Sequence, residues 1–469
     1  MRVVIGACVL CLSVLVSSSV AQSIPERVVL RILPQTHRQN PSEAKEEKEE
    51  KVEPPTHIGG RKLADWINLL RGEDTSKRAE AMMNIPFFGE GNERAVPALL
   101  DCLKHPDLGI RNRALATLRL VGIRPADVKP VINALAARLN PQIESSAHVR
   151  YEATVTLRRF IEDAVPALDG LISCTRDRNA WELRHSAIAL IWRIGVSARQ
   201  RLAAESSAGN TESGQQWLVI EKKVYEALLD QLRNDRNYQI RLETLQGLAA
   251  LGAPEDPALL NRLLSELNAI VSFALNSKQR PLAIWAYAAL VSMQNEKEAA
   301  KESLVRIARH LSYGLTPEKE GKKGSPTLAK SDDPEFTRAE NLQIRMQAAM
   351  ALGGLGERAK SQVPALIKML SDKEPLAVGA ACTALAMIGD TSEGVVEALT
   401  QMIDPKDPQR AGAAVMALVQ LRVKRQSLFD KFLEIRKDPK LDRGLRVLLE
   451  EAEKELKKPD PKKPQKADK

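Results

Sequence analysis

Apolar residues recur along most of the chain at the spacing of a helix. The clearest unit opens with an apolar residue and an arginine, continues with alanine and leucine at intervals of three or four, and often closes on glycine. Copies of this unit begin at Ile110, Val149, Leu183, Ile240 and Ile344, and a weaker copy begins at Val378. Because i, i+3 or i+4 and i+7 lie on one side of a helix, each copy predicts an amphipathic helix.

A second apolar segment alternates with the first and carries a Val-Pro pair in its clearest copies. It reads Ala95-Val96-Pro97-Ala98-Leu99-Leu100 and returns, with variation, at 128–132, 164–168 and 363–366. Proline suits the first turn of a helix, where no hydrogen bond is lost. The two segments together predict helix pairs that repeat along the chain, each burying its apolar face against its neighbours. The sequence therefore predicts an all-α solenoid of about ten helix pairs over residues 61–456, with loop insertions near 197–214 and 316–337.

The amino terminus has the pattern of a secretory signal peptide. Arg2 precedes a mostly apolar run from Val3 to Val16, and small residues follow at Ser19 and Ala21. The run is shorter than the roughly 20 residues that a membrane span needs. We expect residues 1–21 to be a signal peptide and the mature chain to be exported to the periplasm, the cell envelope or the medium, without a transmembrane span. An uncleaved anchor is the alternative.

Two terminal segments predict disorder. Residues 22–60 are rich in charge and proline, and residues 457–469 are rich in lysine and proline. Neither contains enough apolar surface to offset the entropy lost on ordering. The tail holds six lysines and two aspartates, so it supplies a large part of the net charge of +9. The positive and negative charges of the repeat region are therefore close to balanced, and this does not favour a nucleic-acid-binding protein.

The alternating segments resemble HEAT repeats, in particular the short form with Val-Pro-Ala-Leu, a turn containing aspartate, and then Val-Arg-x-x-Ala-x-x-Ala-Leu-x-x-Leu-Gly. The resemblance covers about residues 62–456. It implies a right-handed α-α superhelix with the second helices on the concave side, and binding of macromolecules more often than catalysis. It also implies ion pairs between the arginines that open second helices and aspartates in the turns. These residues are Arg111, Arg150, Arg184, Arg241 and Arg345, with Asp107, Asp177, Asp235 and Asp372.

Candidate binding residues follow from the same alignment. Taking the core alanine of each second helix as the reference, the positions three before it and five after it should point outward from the second-helix layer. Aromatic residues and arginines at or beside these positions are typical of binding hot spots. The candidates are Arg119, Tyr151, Arg158, Arg159, His185, Trp192, Arg193 and Trp285. The alternative is that Tyr151 and Trp192 cap the ends of the core.

The sequence contains little that indicates catalysis. It lacks a His-Glu dipeptide, a Cys-x-x-Cys-His haem motif and a glycine-rich phosphate loop. We therefore predict no catalytic residues, no metal site and no cofactor. Of five cysteines, Cys8 and Cys11 lie in the signal segment, and we expect Cys102, Cys174 and Cys382 to be free, buried thiols.

The most economical hypothesis is an exported, non-catalytic HEAT-repeat scaffold that binds a protein or peptide on its concave surface. One alternative is a structural spacer of the cell envelope without a discrete ligand. The other is a HEAT-like nucleic-acid-binding protein, which conflicts with export and with the balanced charge of the repeats.

Overall fold

The computed structural model describes residues 55–89, 91–273, 279–294, 298–313 and 334–458, and these residues are all-α. Within them the only extended pairing is an isolated bridge between Ile58 and Arg61. The predicted fold class, a helical solenoid, is confirmed. The predicted signal peptide, the linker up to residue 54, residues 316–333 of the second insertion and residues 459–469 of the tail lie outside the described residues.

The chain divides into two compact units, with the boundary between Leu263 and Leu264. The N-terminal unit, described from residue 55, consists of five helix pairs. In chain order they are α1 (Leu63–Arg71) with α2 (Thr75–Asn84), α3 (Val96–Cys102) with α4 (Leu108–Leu120), α5 (Pro125–Leu139) with α6 (Ala147–Leu157), α7 (Leu168–Cys174) with α8 (Trp181–Ser207), and α9 (Thr211–Asn234) with α10 (Tyr238–Leu251). Consecutive second helices, from α2 to α10, pack against each other in one layer.

The boundary between the units falls within α11 (Pro257–Phe273). The C-terminal unit then continues with the same alternation of first and second helices. Its helices are α12 (Arg280–Gln294), α13 (Glu298–Arg309), α14 (Pro334–Gly354), α15 (Val363–Met369), α16 (Pro375–Ile388), α17 (Glu393–Gln401), α18 (Pro408–Gln420), α19 (Gln426–Arg436) and α20 (Arg443–Lys457). The second helices α12, α14, α16, α18 and α20 again pack in sequence. The helices of the ten predicted pairs are therefore present in the described residues, with ends that differ mostly by a few residues.

The core of each pair rests on small side chains at the reference position. Ala114, Ala153, Ala187, Ala348 and Ala414 are all fully buried. Alanine lets neighbouring helices approach closely, and the flanking leucines and isoleucines fill the seam between them. Local signals fix the helix ends, as where the Asp107 side chain accepts a hydrogen bond from the Ile110 amide (2.9 Å) and caps α4.

The expected loop near 197–214 is mostly helical. The second helix α8 continues to Ser207, and α9 begins at Thr211, so only three residues separate them. The physical reason is that Ala198 and Leu202 continue the buried side of α8 and alanine-rich sequence favours the helix. Residues 55–60, which fall in the expected linker, include Ile58, whose carbonyl oxygen accepts a hydrogen bond from Trp66 Nε1 (3.1 Å).

First helices that begin with Val-Pro are shorter than expected. Residues 165–167 form a 3-10 turn and the α-helix starts only at Leu168. In the described part of the chain, no helix combines the length and the apolar content that crossing a membrane would require.

Candidate partner-binding surface

The arginines that open second helices serve the fold. Arg150 Nη2 lies 2.6 Å from Asp177 Oδ2, and Arg184 Nε lies 2.7 Å from Asp235 Oδ2. In the C-terminal unit, Arg345 makes the same contact with Asp372. Each arginine reaches the turn of the following helix pair, so these ion pairs link consecutive repeats. The inter-repeat pairs implied by the resemblance are therefore confirmed at these three positions.

Two arginines depart from the implied pattern. Arg111 pairs with Glu144, at 2.7 Å and 3.0 Å, and not with an aspartate. Asp107 serves instead as the cap of α4. The Nε atom of Arg241 is buried and has no hydrogen-bond partner among the described residues. The turn before α6 is longer than its counterparts, and Glu144 within it takes the place of the expected aspartate.

Three candidate residues converge on one buried carboxylate, that of Glu243 in α10. Trp192 Nε1 and Arg193 Nη1 each donate a hydrogen bond to Glu243 Oε1, both at 2.9 Å. His185 Nε2 lies 3.7 Å from Glu243 Oε2. The Arg193 guanidinium also lies over the Trp192 ring, 4.1 Å from its centre. Because Glu243 is only 8% exposed, it fixes the orientation of the side chains above it.

Burial is the main influence on the pKa of His185. It lowers that pKa below the ordinary value of 6.5, and the positive charges of Arg158 and Arg193 act in the same direction, whereas Glu243 opposes them. Burial also lowers the pKa of Arg193, against the pull of Glu243. The His185 ring is therefore neutral at physiological pH, and the charged groups of this cluster are the two arginines and the carboxylate.

A regular contact links neighbouring second helices in this layer. The reference positions are Ala114, Ala153, Ala187 and, in α10, the buried Thr244. The residue five after one reference donates to the residue one before the reference in the next second helix. Arg119 donates to Glu152 at 2.5 Å, and Trp192 donates to Glu243 in the same way. Arg158 instead reaches a hydroxyl, Ser186 Oγ, at 3.4 Å. We call the second-helix surface the one formed by Arg119, Tyr151, Arg158, His185, Trp192 and Arg193.

The candidates differ in accessibility. Arg158 and Arg159 are exposed, whereas Tyr151, His185 and Trp192 are half-buried. Arg159 donates hydrogen bonds to the carbonyl oxygens of Leu118 and Val121 and lies over the Phe160 ring, so it secures the end of α4.

Trp285 does not point outward as predicted. It is 5% exposed and belongs to the core of the C-terminal unit. Its Nε1 donates to Gln347 Oε1 at 2.7 Å. Trp285 lies two residues after its reference position rather than five, which turns the ring into the core. The role of the other candidates as partner contacts remains a prediction.

The sequence pattern of outward-facing positions did not identify the residues that accept these hydrogen bonds. Glu152, Glu243 and Gln347 all lie one residue before the reference position of their helices. A polar residue recurring at that position was the available signal. Its meaning depends on how neighbouring helices cross, which no single segment reveals.

A groove of about 730 Å³ also escaped the sequence analysis. It lies between α7 and α9 on the first-helix side of the N-terminal unit. Exposed Leu218 and Val219 line it, and the Lys223–Asp169 ion pair bridges the two helices at 2.7 Å.

The described residues contain no group of three or more His, Cys, Asp or Glu side chains arranged to hold a metal ion.

Comparison with known proteins gives a family match within the C-terminal unit. Residues 334–419 match the family model described as HEAT repeats. A comparison with curated protein sequences found no match.

Several solved structures resemble the chain. An engineered protein is 15% identical over 84% of this chain and 99% of its own length, with a TM-score of 0.38. Yeast importin-beta (Kap95p) is 12% identical over 84% of this chain and 57% of its own, with a TM-score of 0.43. The karyopherin Kap121p, in a structure with the SUMO protease Ulp1p, is 12% identical over 84% of this chain and 45% of its own, with a TM-score of 0.36. The chain thus spans about half the length of the karyopherins that it matches.

Proposed function

We propose that this chain, of which residues 334–419 match HEAT repeats, acts as a non-catalytic scaffold and binds a protein or peptide partner on the second-helix surface. The repeats supply a rigid layer of parallel second helices, and the partner contacts side chains that project from it. The proposal concerns the N-terminal unit, where these side chains lie on the consecutive helices α4, α6 and α8 or, for Arg158, in the 3-10 turn directly after α6.

The observation that carries the proposal is the support beneath the aromatic and basic side chains. Trp192 and Arg193 are both held by the Glu243 carboxylate, and Trp192 is also stacked under Arg193. Side chains that are already ordered lose little entropy when a partner binds. Tryptophan, tyrosine and arginine are the residues that contribute most often to binding energy.

We also propose that the protein works outside the cytoplasm. The support is the order of Arg2, the apolar run Val3–Val16 and the small residues at Ser19 and Ala21. Fractionation of cells that express the full chain tests this proposal. Recovery of a shortened chain with Gln22 as its first residue in the exported fraction supports it, and a full-length chain in the cytoplasm contradicts it.

Crosslinking in the native cell fraction, followed by identification of the captured proteins, tests the binding function. Wild type is compared with Arg158→Glu and Trp192→Ala. Arg158 is exposed, so Arg158→Glu should leave the melting temperature unchanged and reduce capture of the partner. Trp192→Ala should reduce capture as well, at some cost in stability.

Lys222→Glu is the matched control, because it makes the same charge change at an exposed site beside the groove on the first-helix side. If Arg158→Glu and Trp192→Ala leave every captured protein unchanged, the second-helix surface is not the binding site. Loss of capture with Lys222→Glu alone would move the site to the groove between α7 and α9.

A further inference from the structure

One arginine in the regular contact between neighbouring second helices has no carboxylate as its acceptor. Two arginines lie five residues after the reference, Arg119 and Arg158. Arg119 has the carboxylate of Glu152 as its acceptor. At the corresponding place, Arg158 meets the hydroxyl of Ser186, which in turn lies 2.6 Å from Thr154 Oγ1. Arg158 therefore makes no ion pair with any residue in the described part of the chain.

The charges around Arg158 do not compensate it. Arg158 and the Glu243 carboxylate both act on the charge of His185, and Glu243 already accepts hydrogen bonds from Trp192 and Arg193. His185, the other titratable neighbour, is neutral at physiological pH. Arg158 is exposed, and Ser186 is only 1% exposed. An approaching anion would thus meet a guanidinium at the surface with two hydroxyls beneath it.

Resting on the proposed function, we propose that Arg158 binds an acidic side chain of the protein partner, an aspartate or a glutamate. The partner's carboxylate would fill in trans the place that Glu152 fills for Arg119 in cis. A planar guanidinium suits a carboxylate, because two parallel hydrogen bonds can form. Tyr151, His185 and Trp192 belong to the same surface, so the acidic residue should be flanked by apolar residues that can pack on aromatic rings.

An array of synthetic peptides tests this inference. Each peptide alternates apolar and charged positions and is present with Glu, Gln or Lys at the charged positions. The full exported chain should retain the Glu peptides over their Gln and Lys counterparts, and retention should weaken at high salt. Equal retention of the Glu and Gln forms, or no retention of either, would overturn the inference.

Two variants then assign the preference to Arg158. Arg158→Gln should weaken binding of the best Glu peptide about tenfold. Ser186→Asp places a carboxylate next to Arg158 within the chain, so it should compete with the peptide and weaken binding similarly. If Ser186→Asp does not fold, Arg158→Gln alone decides the question. Lys222→Gln is the control, because Lys222 is exposed on the first-helix side and not on the second-helix surface, and it should leave peptide affinity unchanged.

The outcomes separate this inference from the function on which it rests. If a captured partner depends on Trp192 but not on Arg158, the scaffold function stands and the carboxylate contact is wrong. If no partner depends on either residue, the function itself fails. A fluorescein-labelled single-stranded oligonucleotide is included as a second probe. Tighter binding of the oligonucleotide than of the Glu peptides would show that the surface recognises phosphate instead.

Discussion

Arg345 in α14 and Asp372 in the turn before α16 form a buried ion pair. Arg345 Nε lies 2.7 Å from Asp372 Oδ2, and Nη2 lies 3.2 Å from Oδ1. Arg345 also donates to the carbonyl oxygen of Tyr313 at 3.1 Å, and the Asp372 side chain is fully buried. The pair thus links three segments of the C-terminal unit: α14, the turn before α16 and the segment that contains Tyr313. Removal of either charged side chain would leave the other buried without a counter-charge.

Replacing Asp372 with alanine should destabilise the protein strongly. The change leaves the Arg345 guanidinium buried without its counter-charge, which typically costs about 3–5 kcal/mol. It also removes the hydrogen bond from the Glu374 amide to Asp372 Oδ1 (2.9 Å) at the start of α16. The measurement is the free energy of unfolding in urea.

The exposed pair Lys360–Glu357 provides the control for this prediction. Its side chains are 50% and 85% exposed and its charges lie 3.3 Å apart. Glu357→Gln should change stability by no more than about 0.5 kcal/mol, since surface pairs contribute little. A loss for Asp372→Ala as small as that for Glu357→Gln would mean that the buried pair is not structural.

Cys102, Cys174 and Cys382 should be unreactive until the protein unfolds. Burial raises the pKa of Cys102 to about 11, and those of Cys174 and Cys382 to about 12. All three are free and buried, so both access and thiolate content are low at neutral pH. In a chain cut so that it begins at Gln22, Ellman's reagent should therefore label three thiols in guanidinium chloride and almost none in buffer. Rapid labelling of the folded protein would contradict the burial of these residues.

The helix pairs could be predicted because their signals are local. Apolar spacing, Val-Pro and the Asp107 cap each act within a few residues, and they agree with one another. The extent of α8 was also readable from Ala198 and Leu202, but the serine and glycine content of that region pointed to a loop.

Contacts between helices were harder to predict. The partner of Arg111 is Glu144, 33 residues away, and the partner of Trp192 is Glu243, 51 residues away. The first contact depends on how the turn before α6 lies against α4, and the second depends on how α8 and α10 cross.

Acidification should weaken the fold through His185. Burial holds its pKa in the folded chain below the ordinary 6.5, so the unfolded chain binds a proton first as the pH falls. The stability that neutral His185 contributes is therefore present above about pH 6.5 and is lost as the pH falls from there through the folded pKa. Burial lowers the pKa of His310 in the C-terminal unit as well, which adds a change of the same sign.

The check is the urea midpoint at pH 7.5 and at pH 5.5. His185→Gln should reduce the difference between the two midpoints, because the variant has one fewer group that gains a proton on unfolding. His57→Gln, at an exposed position, should leave that difference as in the wild type. An unchanged difference in His185→Gln would show that His185 does not contribute to the pH dependence.

Gly247 in α10 should not tolerate alanine, although alanine is the better helix former. A Cβ atom at this position would lie 2.6–2.7 Å from the Cβ, Cγ and Cδ1 atoms of Trp192. Those distances are far inside van der Waals contact, so Trp192 would have to move away from Glu243. Overpacking of this kind typically costs about 1–3 kcal/mol, which exceeds the gain of about 1 kcal/mol from replacing glycine within a helix.

Gly379 in α16 is the control, because nothing lies within 4 Å of its Cβ position. Gly379→Ala should raise the melting temperature, whereas Gly247→Ala should lower it and alter the fluorescence of Trp192. A Gly247→Ala protein as stable as Gly379→Ala would show that α8 and α10 do not pack as closely as the structure places them.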